Sequence, residues 1–298
     1  MSTDRKPDYG DRPAKQVVRR IFVEVLKRLH VVDDLSKSAY VGFGAHQFVD
    51  FELVHRQLGI NQMTSIEGDA SYVLRCQFNK PFDFVNVVQG TSATVLPGLN
   101  WSQRHVVWLD YTQRLRFDEL ADCELLGLRM VPGSVLAVTL NCHPGTTNRM
   151  DDLRLAVGAD NVPLAATEAK LGDWGLAATQ RELVTARINR ALASRGDGAV
   201  WQQLLNLRYK DGARMQMIVG IVDHSTVHER IEVARFGEME EVSADDTAVE
   251  VVLPSFTSRE RQALDTMSPN KKRRGFAGIP QRDIDAYVKF YRWLDPVI

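Results

Sequence analysis

Residues 36–60 read SKSAYVGFGAHQFVDFELVHRQLGI. A short strand-like run, SAYV, stops at Gly42-Phe43-Gly44, and from Phe48 the apolar residues recur at helical spacing. The period of the pattern thus changes from about 2 to about 3.6 across a glycine pair. Such a junction is either the ligand-facing loop of an open α/β sheet or a tight turn, and the flanking sequence decides between the two.

Downstream the alternation continues. QMTSIEGD is strand-like, ASYVLRCQFN helical, FDFVNVVQG and RHVVWLDY strand-like, FDELADCELLGLRM helical and SVLAVTLN strand-like. Strands alternating with helices imply parallel strands joined by crossovers, with helices on both faces. The nearly unbroken apolar runs VVW and VLAVTL suit strands buried on both faces. A long helix follows in LAATQRELVTARINRALASR. WQQLLNLRY and RMQMIVGIV then flank Asp211-Gly212, a hairpin signal that closes the sheet with an antiparallel pair. The expected fold class is a Rossmann-like three-layer α/β sandwich. Upstream, residues 14–30 place Val17, Val18, Ile21, Phe22, Val25, Leu26 and Leu29 on an amphipathic helix with basic residues between, which reads as a covering helix.

The rest of the chain divides simply. Residues 1–13 read as a loose polar tail and 14–255 as the sheet domain. Residues 228–247 are acidic and weakly patterned. Residues 256–298 read as a helical appendage packed on the domain: Thr257 to Glu260 has the form of a capping box, and Tyr287, Phe290, Tyr291 and Leu294 form one helical stripe. An apolar fraction of 44% supplies a core, and a net charge of −1 excludes wholesale electrostatic attraction to nucleic acid or anionic membrane. Cys76, Cys123 and Cys142 are few, odd in number and widely spaced, which suits reduced thiols in the cytoplasm. No apolar run is long enough to span a bilayer. Lys271, Lys272, Arg273 and Arg274 are the one dense basic run, either solvated or a phosphate contact for nucleic acid.

In a doubly wound sheet, ligands bind beyond the carboxyl ends of the strands, where the strand order reverses. Gly42 and Gly44 there let backbone approach a ligand. Glu67 ends the second strand, where a carboxylate accepts from ribose hydroxyls, with Asp69 as fallback. Gln89-Gly90-Thr91-Ser92 follows the third strand, and Asp110 ends the fourth. The order of these signals points to a nucleotide-type cofactor. A dinucleotide fingerprint would carry a third glycine where Gln47 stands, which disfavours an NAD-dependent oxidoreductase.

Over roughly residues 38–222 the sequence resembles the class I S-adenosylmethionine-dependent methyltransferases, most clearly in YVGFGAHQF, SIEGD, GTSATVLPGLNW and VVWLDY. More narrowly, with the closing YVKFYRWL, it is similar to a little-characterised bacterial O-methyltransferase group. The resemblance implies a seven-stranded sheet with the last strand inserted antiparallel, and S-adenosylmethionine as cofactor. By the same resemblance Gly42 and Gly44 approach the methionine moiety, Glu67 holds the ribose, and Thr91 and Ser92 lie near the adenine, with Phe43 and Gly90 in the same cofactor-binding loops. Metal-dependent relatives place a lysine after the Asp-ended strand and an Asp-Asn pair after the next; here stand Asp110-Tyr111-Thr112-Gln113 and Asn141-Cys142-His143, so no metal is expected. Methyl transfer to a hydroxyl needs a positioned base, for which Asp110 and His143 are the candidates. A non-catalytic module that keeps the fold and holds a partner through its C-terminal part stays open as the alternative.

Overall fold

The computed structural model describes residues 12–268 and 278–294. The expected terminal tail up to residue 11 and the basic run 271–274 lie outside the described residues. In chain order the elements are α1 (Pro13–Val32), β1 (Ala39–Gly42), α2 (Val49–Leu58), β2 (Gln62–Glu67), α3 (Val73–Asn79), β3 (Val85–Gln89), α4 (Ser92–Val95), β4 (His105–Asp110), α5 (Phe117–Arg129), β5 (Val135–Asn141), α6 (Arg149–Val157), α7 (Gly175–Arg195), β6 (Val200–Asp211), β7 (Ala213–Asp223), α8 (His228–Val233), β8 (Val249–Val251), α9 (Ser258–Met267) and α10 (Gln281–Phe290).

The strands form one sheet in the order β3-β2-β1-β4-β5-β7-β6-β8. β1 to β5 run parallel, and β7 enters antiparallel between β5 and β6. Only Gly212 separates β6 from β7, so the Asp-Gly hairpin stands where the sequence places it. The expected seven strands are joined by an eighth: β8 pairs parallel with the outer edge of β6. Its three residues are too few to show a period.

Both faces of the sheet are buried, and the alternation is strict. Val106 and Trp108 of β4 and Val135 and Ala137 of β5 join the core under α1 and α2. Val107, Leu109, Leu136, Val138 and Leu140 join the core under α5 and α7. Consecutive residues that all find cover produce the unbroken apolar runs seen in the sequence.

Two readings need correction. The stretch 228–247 is more ordered than its acidity suggests: α8 forms, and Ile231 and Phe236 sink into the main core. α1 is more than a cover. Its basic residues Lys15 and Arg19 are 3% and 2% exposed, because each faces a carboxylate. Its amino end is fixed from afar: Asp211, at the hairpin tip, accepts from the backbone N–H of Ala14 at 3.2 Å and of Lys15 at 2.8 Å. An acidic side chain there satisfies two orphan donors and complements the helix dipole.

Cys76, Cys123 and Cys142 are all buried thiols. Burial pushes the Cys142 thiol up to about 12, and the Cys123 thiol rises further for the same reason. Native protein is therefore expected to react with a thiol reagent only as fast as it unfolds; rapid labelling of Cys123 or Cys142 at neutral pH would contradict their placement. Among the described residues, no helix is long and apolar enough to cross a membrane.

Candidate cofactor cleft

The strand order reverses between β1 and β4, which run parallel side by side with Gly42 opposite Trp108. At the carboxyl ends of these strands lies a cleft of about 380 Å³. Phe43, Gly44, Glu67, Gly90, Thr91, Ser92 and Asp110 all line it. Residues from four separate strand ends thus converge, as the topology requires. Gly42 itself is the last residue of β1 and does not line the cleft.

The first loop is close-packed and backbone-driven. The Gly44 N–H donates to Ser65 Oγ at 3.1 Å. A Cβ on Gly44 would sit 2.6 Å from the Phe48 ring and 2.7 Å from Ser65 Oγ, so no larger residue fits without moving β2 or the start of α2. Ala45 and Phe48 both take left-handed backbone, with φ of 47° and 52°. Two such non-glycine residues in one loop store strain, which concentrates at ligand clamps. This path also explains Gln47 at the third glycine position. Phe48, packed over Gly44 and buried against Phe51, turns the chain into α2 instead.

Glu67 ends β2 and is 9% exposed. Its Oε1 accepts from the Asp69 N–H at 2.9 Å, and Cys76 Sγ lies 3.6 Å from Oε2. Asp69, the fallback, is exposed and is occupied in a turn with Ser71. Gly90 has φ of 149°, and a Cβ there would meet Thr94 Oγ1 at 2.7 Å. Ser92 turns toward Asp122, which also accepts from Tyr111 Oη at 2.7 Å. Burial holds the Asp122 carboxyl above its usual range, with Ser92 and Tyr111 opposing that shift. Tyr111 in turn stands edge-on to Phe43, with ring centres 5.3 Å apart, as a wall of the cleft.

The charged floor was not foreseen. Lys15 and Arg19, one turn apart on α1, reach into the cleft beside Asp50 and Asp110. Lys15 Nζ donates to Asp110 Oδ2, and Arg19 Nε donates to Asp50 Oδ1 at 2.5 Å. Burial works against the Arg19 charge, but Asp50 more than offsets it and holds the guanidinium above its usual value. Burial raises the hydroxyls of Tyr40 and Tyr209 well above their ordinary value, and Asp50 and Asp110 add to both. Asp110 Oδ1 is buried and has no partner among the described residues. The signal that would have found these cations is their i, i+4 spacing, which puts both on one face of the helix.

His143 follows β5 and so lies at the same edge as Gly42 and Asp110, but it is exposed and does not line the cleft. Its carbonyl accepts from Arg114 Nε at 2.8 Å. Asn141 is occupied by the β4–α5 connection: its N–H donates to the Gln113 carbonyl and its amide to the Thr112 carbonyl.

Residues 7–296 match the family described as "Putative O-methyltransferase". The chain belongs to this family. The antiparallel insertion of β7 is what the class I methyltransferase resemblance implied, and the methyltransferase class expected from the sequence is met. No curated protein matches. Among solved structures, the Bacillus cereus O-methyltransferase in complex with SAH is 12% identical, with 74% of this chain and 84% of that one covered and a TM-score of 0.39. TomG from Streptomyces achromogenes in complex with SAM is 17% identical over 75% of this chain and 93% of that one, at 0.39. A LepI variant in complex with SAH and a substrate analogue is 11% identical at 0.37, and the match covers 63% of this chain but only 43% of LepI. At these values the likenesses are loose, and nothing about this chain's ligands follows from them.

Proposed function

We propose that the cleft binds S-adenosylmethionine and that the protein is an S-adenosylmethionine-dependent methyltransferase directed to oxygen. One observation carries this reading: at the β1/β4 reversal, two glycines with no room for a Cβ, the buried Glu67 and the orphaned Asp110 Oδ1 line one cleft. The residues fit the cofactor's parts. Glu67 would accept from the ribose hydroxyls, which a carboxylate at this strand end is suited to do. Asp110 Oδ1 would accept from the amino group of the methionine portion, which would end its burial without a partner. Gly90, Thr91 and Ser92 would border the adenine.

The bound cofactor supplies an activated methyl group. This chain's part is to hold that group in line with the acceptor oxygen and to take the acceptor's proton. Of the two base candidates Asp110 faces the cleft, but with Oδ2 on Lys15 and Oδ1 given to the amino group it serves to hold the cofactor, and His143 stands outside the lining.

Titration with S-adenosylmethionine is expected to give micromolar-scale binding. Glu67→Ala is expected to weaken it about tenfold or more, the cost of losing a hydrogen bond to a charged group. Unchanged affinity in Glu67→Ala would remove Glu67 from the site.

A second reading keeps binding without transfer. It is favoured by the exposure of His143 and by the engagement of Asp110 Oδ2 with Lys15. Cofactor binding with no methyl transfer to any hydroxyl or carboxyl acceptor would establish it. The buried thiols suit a reducing compartment, and action in the cytoplasm is part of the proposal.

A further inference from the structure

A second cavity, of about 450 Å³, opens beside the cofactor cleft. One stretch of chain separates the two. Tyr111, Thr112 and Gln113 line the cleft, while Arg114, Leu115 and Arg116, next in sequence, line the cavity. This shared wall is rigid. Asn141 holds Thr112 and Gln113, and the Leu115 N–H donates to Gln180 Oε1 at 2.7 Å. Gln180, 1% exposed, also donates to the Asn141 carbonyl and to Cys142 Sγ. The cavity therefore has a floor fixed to the ends of both β4 and β5.

Its lining has two characters. Leu115, Leu153, Leu171 and Leu176 make an apolar floor. Leu155 on α6 also lines it yet is 89% exposed, an apolar rim that nothing covers among the described residues. The charged lining is Arg114, Arg116 and Arg149 against Asp152 alone. Arg114 faces Asp152 at 3.5 Å, and Arg149 is occupied by Glu168 and by the carbonyls of Gly145 and Thr146. The Arg116 side chain is exposed and forms no ion pair among the described residues, while its backbone N–H donates to Glu119 Oε2 at 2.8 Å.

We propose that this cavity is a second ligand site, for a small apolar molecule carrying an anionic group read by Arg116. The volume lies in the range of small-molecule sites, which combine an apolar lining with a few polar groups that orient the ligand. A guanidinium fork matches carboxylate and phosphate alike. The apolar body lies on the leucine floor. Either a carboxylate or a phosphate monoester has the required chemistry, and the test separates them.

The full-length protein is titrated with 1-naphthoate, 1-naphthyl phosphate and the neutral 1-naphthalenemethanol, and separately with S-adenosylmethionine. At least one anion is expected to bind about tenfold or more tightly than the neutral probe, and the tighter anion names the group. Arg116→Gln is expected to abolish that preference while leaving S-adenosylmethionine affinity unchanged. Leu155→Asp, at an exposed position and so safe for folding, is expected to weaken all three probes. Binding of S-adenosylmethionine without any anion preference, or a preference that survives Arg116→Gln, overturns this proposal and leaves the cofactor reading intact. Anion binding without S-adenosylmethionine binding overturns the cofactor reading and leaves this ligand site standing.

Discussion

Lys15→Met is expected to destabilise the protein by about 3–5 kcal/mol, the usual cost of stranding one member of a buried ion pair. The side chains of Lys15 and Asp110 are 4% and 14% exposed, so solvent screens neither. Without the ammonium group, Asp110 would hold a buried negative charge with both oxygens unsatisfied, since Oδ1 already has no partner among the described residues. Asp50 nearby is held by Arg19 and adds a second carboxylate to the same floor. The double variant Lys15→Met with Asp110→Asn is expected to recover a large part of the loss, because replacing both partners removes the stranded charge. Urea midpoints at constant m-value measure both. A loss below about 1 kcal/mol in Lys15→Met would mean that the pair behaves as a surface pair and that the cleft floor is wet. The same variants read the site. Losing Lys15 leaves the cleft with excess negative charge beside the proposed amino-group contact, so S-adenosylmethionine binding changes together with stability; Asp110→Asn alone removes an acceptor from that contact and weakens binding.

That floor marks where the sequence stopped being legible. β1, its glycine loop and α2 were readable because a period change and two glycines are local signals, and Glu67 and Asp110 were readable because they end apolar runs. The hairpin was readable from Asp211-Gly212 alone. Lys15 and Arg19 were not, because basic residues on an amphipathic helix normally mark its wet face. Only the fold shows that α1 packs on the sheet over Tyr40 and Trp108, where the two cations meet the carboxylates of β4 and α2. Asp211 illustrates the same limit. Its turn role is local, whereas its contact with Ala14 and Lys15 spans 197 and 196 residues of sequence. α6 was invisible because only Leu153 and Val157 of its nine residues are buried, and with α6 went the second cavity. His143 was placed correctly at the strand edge but not at the cleft, since a residue that follows a strand is free to turn away once its own backbone is bonded.

Phe290→Ala is expected to cost about 3–5 kcal/mol, as large a loss as any single core truncation. Phe290 is 1% exposed and belongs to the same cluster as Phe22, Trp108 and Leu205, although it lies in the last helix. α9 and α10 also close on each other: Leu264, Ile284 and Tyr287 form their own cluster, and Tyr287 Oη donates to Asp265 Oδ1 at 2.7 Å. The capping box of α9 is present, with Glu260 accepting from the Thr257 N–H at 2.8 Å. Beyond α10, Trp293 Nε1 donates to the buried Glu241 at 2.8 Å, and Arg20 of α1 donates to the Trp293 carbonyl at 2.6 Å. The family match extends through the same residues, to 296. Dividing the chain into a domain of 14–255 and an appendage of 256–298 is thus a proposal about sequence, and its physical content is whether the two unfold together. Two-state urea curves, in which Phe290→Ala shifts a single midpoint detected by both far-ultraviolet dichroism and tryptophan fluorescence, are expected if the last helices are part of the core. An early separate transition confined to the variant's last helices, with the main midpoint unmoved, would show a detachable appendage instead. The link from Trp293 to α1 makes the outcome functional as well as structural. α1 carries Lys15 to Asp110, so a Phe290→Ala protein that unfolds as one unit should lose S-adenosylmethionine affinity in step with its stability, whereas a detachable tail would leave that affinity unchanged.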